Sequence, residues 1–283
     1  MEHKNKQQCE YDCNHGLLSV SFGWRVLLLV TVLALTTFIF MSVFLESYQN
    51  GPIGKFLQPF NRETSFIYRA QPLQYVGEAM ILPIPDLETI FSFEDVLFST
   101  RSSHEYACRL LKEAELSQVL YAAQGMRDSV TKERMAPSAY NAYPFSLFVV
   151  VRNVEGIEPG VYHYLPETHS IRPIKFSRDI PLGGQLETSC NYTAPAVIVF
   201  SAEYGKMREK NGGDLENARR LSLQESGHIS QNIYLESAAL GLSTVVMANF
   251  NEREVREELG LPKTESIVYL QPIGGRVEEE IGE

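Results

Sequence analysis

Cysteine is scarce in this chain, which carries four such residues among 283. They are Cys9, Cys13, Cys108 and Cys190. Cysteines so few and so scattered do not resemble the dense framework of a small secreted disulfide scaffold, and free thiols are the expectation. The spacing of Cys9 and Cys13 with His3 and His15 matches no standard zinc pattern, so no metal site is predicted.

An excess of positive charge is also absent. The formal net charge is −10 at pH 7, which argues against a polyanion such as nucleic acid as a partner. Internal repeats and low-complexity tracts are missing as well. With 44% hydrophobic and 21% charged residues, the chain has a globular composition and enough length for one large domain or two small ones.

One long segment lacks charge, proline and glycine altogether. It covers residues 26–45 and reads VLLLVTVLALTTFIFMSVFL. About twenty apolar residues at 1.5 Å each match a hydrocarbon core of about 30 Å, so the segment predicts a single transmembrane helix. A cleaved signal peptide is the alternative, but the run is longer than a usual signal sequence and no small-x-small cleavage site precedes Glu46. An uncleaved anchor is therefore favoured.

The charges that flank this segment favour a cytoplasmic N-terminus. Arg25 abuts the apolar run, whereas the basic residues after the run begin only at Lys55. In that orientation the rest of the chain lies outside the cytoplasm, where the sequon at residues 191–193 could accept a glycan in a eukaryote. The sequon has no part in this choice of topology, because such short patterns often occur by chance.

The rest of the chain divides into segments of different composition. Residues 1–25 form an N-terminal tail, and residues 46–80, broken by glycine and proline, indicate a stalk or wrapping arm ahead of a domain at residues 81–283. Helices are predicted at 92–98, 115–124, 214–240 and 251–259, and strands at 145–152, 161–165, 196–201, 243–248 and 266–271. Helices and strands mix without strict alternation, so the predicted fold class is α+β.

Three separated segments carry residue types that suit different parts of one ligand. The first follows a helix and contains Arg101, whose guanidinium suits a phosphate, with the Ser102 hydroxyl and His104 beside it. The second is a turn with small side chains that permit close approach of the backbone. Its candidate residues are Pro137, Ser138, Ala139 and Asn141. When each segment is taken alone, an exposed helix end and a polar turn are the simpler interpretations.

The third segment runs along a helix to a glycine. Its candidate residues are Gln231, Leu240, Gly241 and Leu242. Gly241 lets the main chain come against a flat ring and present an N–H group, although a glycine that simply ends a helix would have the same sequence. Gln231 shares a helical face with His228, an arrangement that helix packing or a subunit contact also explains.

Taken together, these segments resemble the nitroreductase superfamily, and specifically its SagB-type dehydrogenase branch, which contains azoline oxidases of thiazole and oxazole peptide biosynthesis. The similar stretches follow the family's order at residues 81–86, 115–125, 136–139, 149–156, 159–164, 227–235, 239–244 and 271–274. The resemblance implies a nitroreductase-like α+β sandwich after the predicted membrane helix. It also implies an intertwined homodimer that binds FMN at the dimer interface.

The resemblance assigns roles to individual residues. Arg101 and Ser102 match the residues that hold the FMN phosphate and ribityl chain, and Gly241 matches the glycine whose N–H approaches flavin N5. The loop that contacts the flavin is matched by Ser138, Ala139 and Asn141.

Two positions depart from the family pattern: Thr100 replaces an arginine, and His104 stands at a later basic position. The resemblance therefore implies fewer positive charges around the FMN than is usual in the family. Histidine is only partly charged near neutrality, so a His104 that reaches the flavin would make FMN affinity vary between about pH 5.5 and 7.5.

The expected chemistry is hydride transfer through flavin N5, since in a flavoenzyme the cofactor carries the redox step. NAD(P)H could be the electron donor, or a small-molecule or peptide substrate could be oxidised directly. Tyr204 and Lys206 follow a predicted strand and are candidate acid/base groups, although a solvated strand end is the simpler interpretation. The alternatives are an NAD(P)H-dependent reductase of quinones or nitro-compounds, and a catalytically silent, membrane-tethered dimer that serves as an interaction module.

Overall fold

The computed structural model describes residues 27, 30–38, 72–86, 88, 91–182 and 193–277. The chain forms two compact units, Met1–Tyr68 and Arg69–Glu283. In the first unit residues 30–38 are helical, and the rest of the predicted membrane segment lies outside the described residues apart from Leu27. Within the described part of the chain, no helix has the length and apolar character needed to cross a membrane. The anchor, its orientation and most of the stalk therefore remain predictions.

The second unit is built on an antiparallel sheet. Its seven strands are β1 (Met80–Ile81), β4 (Phe145–Val151), β5 (Gly160–Leu165), β6 (Ser170–Phe176), β7 (Ala196–Ala202), β8 (Leu242–Thr244) and β9 (Ser266–Gly275). They lie in the order β1-β6-β5-β4-β7-β9-β8, with every neighbouring pair antiparallel. A separate hairpin pairs β2 (Met126–Asp128) with β3 (Glu133–Arg134).

This unit contains five described α-helices. They are α1 (Phe93–Ser99), α2 (Glu113–Gln124), α3 (Tyr204–Lys210), α4 (Leu215–Ala239) and α5 (Glu252–Glu258). Ser92 forms a capping box with Asp95 ahead of α1. The side chains of Asp214 and Asn251 accept backbone N–H groups at the starts of α4 and α5. Each cap satisfies a donor that the first helical turn leaves without a partner.

The sheet is covered on both faces, and the alternation of β4 side chains decides which residue enters which core. Val149 and its partner Ile198 on β7 pack with α2 and α4, where Leu120 and Ile229 are fully buried. Phe148 belongs to the opposite core, which contains residues of α5. An antiparallel sheet between helical layers is an α+β architecture, as predicted.

The sequence-based predictions fail in several places, and they contain none of the short strands β1, β2 and β3. β6 and α3 were also not expected, so Tyr204 and Lys206, which follow strand β7 as predicted, lie on a helix as well. The expectation of free thiols is wrong for Cys108, which is disulfide-bonded. Sequence spacing does not report which cysteines a fold brings together, and this is why the expectation failed. The sequon residues 191 and 192, together with Cys9, Cys13, His3 and His15, lie outside the described residues.

Candidate functional site

The segment after α1 runs beside the edge strand β8. Ser102 forms a parallel bridge with Thr244, and the Ser103 N–H donates to the Thr244 carbonyl at 3.0 Å. Because β8 also pairs with the last residues of β9, three distant parts of the sequence meet at this edge. We refer to the cluster of Arg101, Ser102, Gly241, Leu242 and Arg276 as the edge cluster.

A tyrosine that the sequence did not single out ties the edge cluster to α4. The Tyr234 hydroxyl lies 2.8 Å from the Ser102 hydroxyl and accepts the Val246 N–H at 3.0 Å. Tyr234 thereby fixes where the Ser102 side chain points. The only signal in the sequence was its position inside the similar stretch 227–235.

Gly241 occupies the turn between α4 and β8 in a left-handed conformation, with φ +65°. A Cβ atom added there would meet no atom of the described chain within 4 Å, so open space lies beside the main chain. The Gly241 N–H donates to the Ala238 carbonyl at 3.2 Å, and the Gly241 carbonyl accepts the Arg276 N–H at 3.2 Å. Leu240 ends α4 half-buried, and Leu242 is buried in β8.

Two arginines give the edge cluster its charge. Arg101 is exposed beside the bridge residue Ser102, and an Arg276 guanidinium nitrogen lies 3.4 Å from the Leu242 carbonyl. His104 is exposed two residues further on. Thr100, at the position of the missing arginine, donates its hydroxyl to the Val96 carbonyl at 2.7 Å and closes α1. The substitution thus replaces a charge with a helix cap.

The predicted turn lies elsewhere, against the first half of α4. The Ser138 hydroxyl donates to Glu225 Oε2 at 2.6 Å and accepts the Tyr143 N–H at 2.9 Å. Pro137 and Asn141 are exposed, and Ala139 is half-buried. Left-handed backbone occurs at Tyr140 (φ 56°), Asn141 (φ 50°) and Tyr143 (φ 44°). Such conformations are costly for residues other than glycine and concentrate at functional sites.

Glu225 is a buried acid that the sequence analysis missed. Its side chain is 2% exposed, and its second carboxylate oxygen has no hydrogen-bond partner among the described residues. Burial raises the pKa of Glu225 to about 7, against the opposing effects of the Ser138 hydrogen bond and the Arg134 charge. Near neutrality this side chain is therefore present in both protonation states.

The two candidate acid/base residues lie near this turn. Tyr204 and Lys206 belong to α3, and the Arg219 guanidinium of α4 lies 5.4 Å from the centre of the Tyr204 ring. Burial raises the pKa of Tyr204, while Arg219 opposes the shift. Tyr204 therefore keeps its phenolic proton at neutral pH. Lys206 pairs with Glu203 at 3.2 Å.

The structure brings the predicted residues together in two groups rather than in one. Glu225, beside the turn, and Leu240, beside the edge cluster, are separated by about 22 Å along α4 at 1.5 Å per residue. Gln231 is exposed on the helix between them. A flavin at the edge cluster of one copy would therefore need the turn of another copy to touch both groups.

Comparison with known proteins identifies the family. A model described as the nitroreductase family matches residues 97–275, which is more than half of the chain. The chain belongs to the nitroreductase family. This is a family of flavoprotein oxidoreductases, so the coarse expectation of an oxidoreductase is confirmed.

Individual relatives agree with this placement. The chain is 36% identical over 206 residues to a protein of Methanocaldococcus jannaschii whose name assigns it to the nitroreductases, and the match covers 72% of this chain and all of the relative. A Ralstonia eutropha crystal structure assigned to the same family is 26% identical, with a TM-score of 0.60, and the match covers 74% of this chain and 95% of that one.

A third similarity concerns the fold alone. The Escherichia coli microcin synthetase McbBCD complex, solved with truncated pro-MccB17 bound, contains a chain that is 20% identical to this one, with a TM-score of 0.54. The match covers 78% of this chain and 81% of that one. At this identity the likeness assigns no substrate, and the SagB-type branch remains a prediction.

Proposed function

We propose that this chain is a membrane-anchored, FMN-dependent oxidoreductase of the nitroreductase family and that a second copy of the chain completes each flavin site. The observation that carries the proposal is the edge cluster, where the segments of Ser102, Gly241 and Arg276 come together along strand β8 from three distant parts of the sequence. The 22 Å or so along α4 between this cluster and the turn favours a site shared between two copies.

The residues of the edge cluster fit FMN. A left-handed glycine with open space where a side chain would lie admits a flat ring close to the main chain. Arg101 and Arg276 offer planar guanidinium groups, which suit a phosphate, and Ser102 offers a hydroxyl for the ribityl chain. Bound in this way, FMN would supply a hydride acceptor and donor at N5.

The other residues act on the substrate side. The partner's turn would bring Ser138, Ala139 and Asn141 to the flavin ring and exclude water from it. Tyr204 keeps its proton at neutral pH because it is buried, so its phenol would serve as an acid close to this turn. Lys206, 3.2 Å from Glu203, would stabilise negative charge on the substrate.

The finer assignment is to the SagB-type branch, with a small molecule or a peptide as the substrate. A reductase of quinones or nitro-compounds that uses NAD(P)H is the alternative, because a membrane anchor would make apolar acceptors accessible. A catalytically silent, membrane-tethered dimer is the third candidate. It is favoured by Thr100, which replaces a phosphate-binding arginine with a helix cap.

Flavin binding tests the proposal directly. The full chain in detergent should bind one FMN per chain, measured by the quenching of flavin fluorescence, and should turn yellow. Arg101→Ala should weaken binding by about tenfold or more, since a charge-assisted hydrogen bond to phosphate is lost. Arg253→Ala, at an exposed position on α5, is the matched control and should leave affinity unchanged. A folded, dimeric chain that stays colourless would favour the silent module.

The electron donor separates the two catalytic candidates. Reduction of the loaded protein under anaerobic conditions by NADH or NADPH would support the reductase. Reduction by dithionite alone, with both nucleotides inert, would support direct oxidation of a substrate. The readout is the loss of flavin absorbance.

We also propose that the second unit lies on the non-cytoplasmic side of the membrane. The disulfide at Cys108 supports this orientation, because disulfides persist mainly in oxidising compartments, and Arg25 favours a cytoplasmic N-terminus. Protease added to intact cells should remove the second unit from the anchored chain. Complete protection in intact cells, followed by digestion after lysis, would reverse the proposed orientation.

A further inference from the structure

A small polar cavity lies where β4 begins and β5 ends, apart from the edge cluster. Its volume is about 170 Å³, and its walls include Gln124 of α2, Arg134 of β3 and Lys206 of α3. The proposed function uses Lys206 from these walls and assigns no ligand to the cavity itself. The chemistry of its walls indicates one.

Gln124 supplies a buried donor without a partner. Its side chain is fully buried, and its amide oxygen accepts a hydrogen bond from the Arg134 guanidinium. Arginine can only donate, so the amide oxygen must face Arg134 and the NH₂ group must point elsewhere. That nitrogen has no hydrogen-bond partner among the described residues. A buried donor of this kind is costly unless a ligand or water satisfies it.

Further donors surround the same space. The Arg134 guanidinium lies over the Tyr143 ring, 4.8 Å from its centre. The backbone N–H of Arg134 donates to the Tyr143 hydroxyl at 3.1 Å, so the phenolic proton is available to donate. Burial is the main cause that lowers the pKa of His163, to about 4, so the imidazole ring is neutral at pH 7. His163 Nδ1 is 2.8 Å from the Tyr75 hydroxyl.

Charge in the cavity walls is positive on balance. Arg134 and Lys206 are both cationic, and the one acid among the lining residues is Glu167. Its carboxylate lies 3.1 Å from the Arg134 guanidinium, but the Glu167 side chain is 56% exposed whereas that of Arg134 is 14% exposed. Lys206 lines the cavity and also pairs with Glu203, which is not a lining residue. The fixed cation is therefore inside, and its anionic partner is at the rim.

We propose that this cavity binds a small carboxylate, held by the Gln124 amide, the Arg134 guanidinium and the Lys206 ammonium group. The planar fork of arginine matches a carboxylate in two-point contact, and the unpartnered amide adds a third donor. Glu167 competes for Arg134 from the rim and moves into solvent when the ligand enters. Carboxylate binding here requires no flavin, so it goes beyond the proposed function.

Two isosteric substitutions of opposite sign test the site. Gln124→Glu keeps the shape and the bond to Arg134 but replaces the donor with a negative charge, and it should weaken carboxylate binding at least tenfold. Glu167→Gln removes the competing charge and should strengthen binding severalfold. Lys175→Gln, which alters a lysine paired with Glu258 elsewhere on the surface, is the matched control and should change nothing.

The measurement is titration calorimetry on the full chain in detergent at pH 7, with acetate as the probe and chloride at equal ionic strength as the reference. Saturable acetate binding that responds to both substitutions in the stated directions supports the site. Absence of saturable binding, or equal binding by the wild type and both variants, overturns it. If the chain binds inorganic phosphate but does not bind acetate, the carboxylate assignment is overturned. A chain that binds acetate but not FMN would refute the proposed function alone.

Discussion

Glu225 is buried in the middle of α4, and its proton couples the stability of the protein to pH. Its pKa lies at about 7 in the folded state, against 4.5 for the ordinary group. Between these values the folded chain holds a proton that the unfolded chain has released. The stability due to this proton is fully present below pH 4.5 and is lost as the pH rises through 7.

Glu225→Gln should remove this dependence, because a glutamine keeps an oxygen for the Ser138 hydroxyl and cannot ionise. Between pH 5 and pH 8 the wild type should lose up to about 3 kcal/mol of unfolding free energy relative to the variant. Urea denaturation at the two pH values measures the difference. The control is Glu216→Gln, at an exposed position on the same helix. Parallel curves for the wild type and Glu225→Gln would contradict the prediction.

Gly241 allows a second prediction at this scale, since its conformation and the space beside it have separate consequences. Gly241→Val should cost about 1–2 kcal/mol of stability because φ is positive, and it should abolish FMN binding because the branched side chain fills the space open to a ring. Gly213→Val shares the positive φ and the open surroundings, away from the edge cluster. It should lose similar stability and keep the flavin, as fluorescence titration would reveal. Full loading of Gly241→Val would remove Gly241 from the site.

The sequence predicts the residues whose chemistry is local and misses those whose partners are distant. Ser102 and Gly241 were singled out because a serine beside an arginine and a glycine after a helix suit a cofactor, and the family resemblance favoured that interpretation over an ordinary helix end. Glu225 and Tyr234 do not, because their roles come from contacts with Ser138 and Ser102, 87 and 132 positions away. An acid inside a helix gives no sign that it will be buried.

At the scale of elements, helix boundaries that depend on local interactions were likewise easier to predict than strands that depend on distant partners. The capping box at Ser92 and the caps at Asp214 and Asn251 involve residues three positions apart, and helices were predicted to begin at these three residues. β6 was missed because Pro173 and two basic residues interrupt its apolar alternation. β6 nevertheless pairs with β5, and the proline lies opposite Tyr162, next to a register shift between Val161 and Tyr162. α3 has only seven residues, too few for a helical period to be recognised.

The cap of α4 offers a prediction about an element that links both groups of residues. Asp214→Ala should reduce the unfolding free energy by about 1 kcal/mol, since the Asn217 N–H loses its acceptor at 3.0 Å. FMN affinity should not change, because the edge cluster lies at the opposite end of the helix. Thermal denaturation and flavin titration measure the two effects. Asp214→Asn, which also caps, should restore stability, and a variant that stayed destabilised would show that Asp214 acts other than as a cap.

At the scale of the whole molecule, one long helix keeps apart two sets of residues that the flavin proposal uses together. The turn with Ser138 contacts the middle of α4 at Glu225, and Gly241 follows the end of the helix. Sequence order alone could not reveal this separation, because both segments suit the same ligand. Two copies of the chain arranged about a two-fold axis would join the turn of each copy to the edge cluster of the other, and so form two equivalent sites.

Mixing two defective variants tests this arrangement. Gly241→Val damages the edge cluster, and Asn141→Trp places a bulky ring on the exposed turn, so neither variant alone should bind FMN. Each mixed dimer has one site with both defects and one site with none. Random pairing of equal amounts should therefore restore about a quarter of the sites. Flavin bound per chain after co-expression measures the recovery, and each variant expressed alone is the control. If both groups of residues served a flavin within a single copy, mixing would restore nothing.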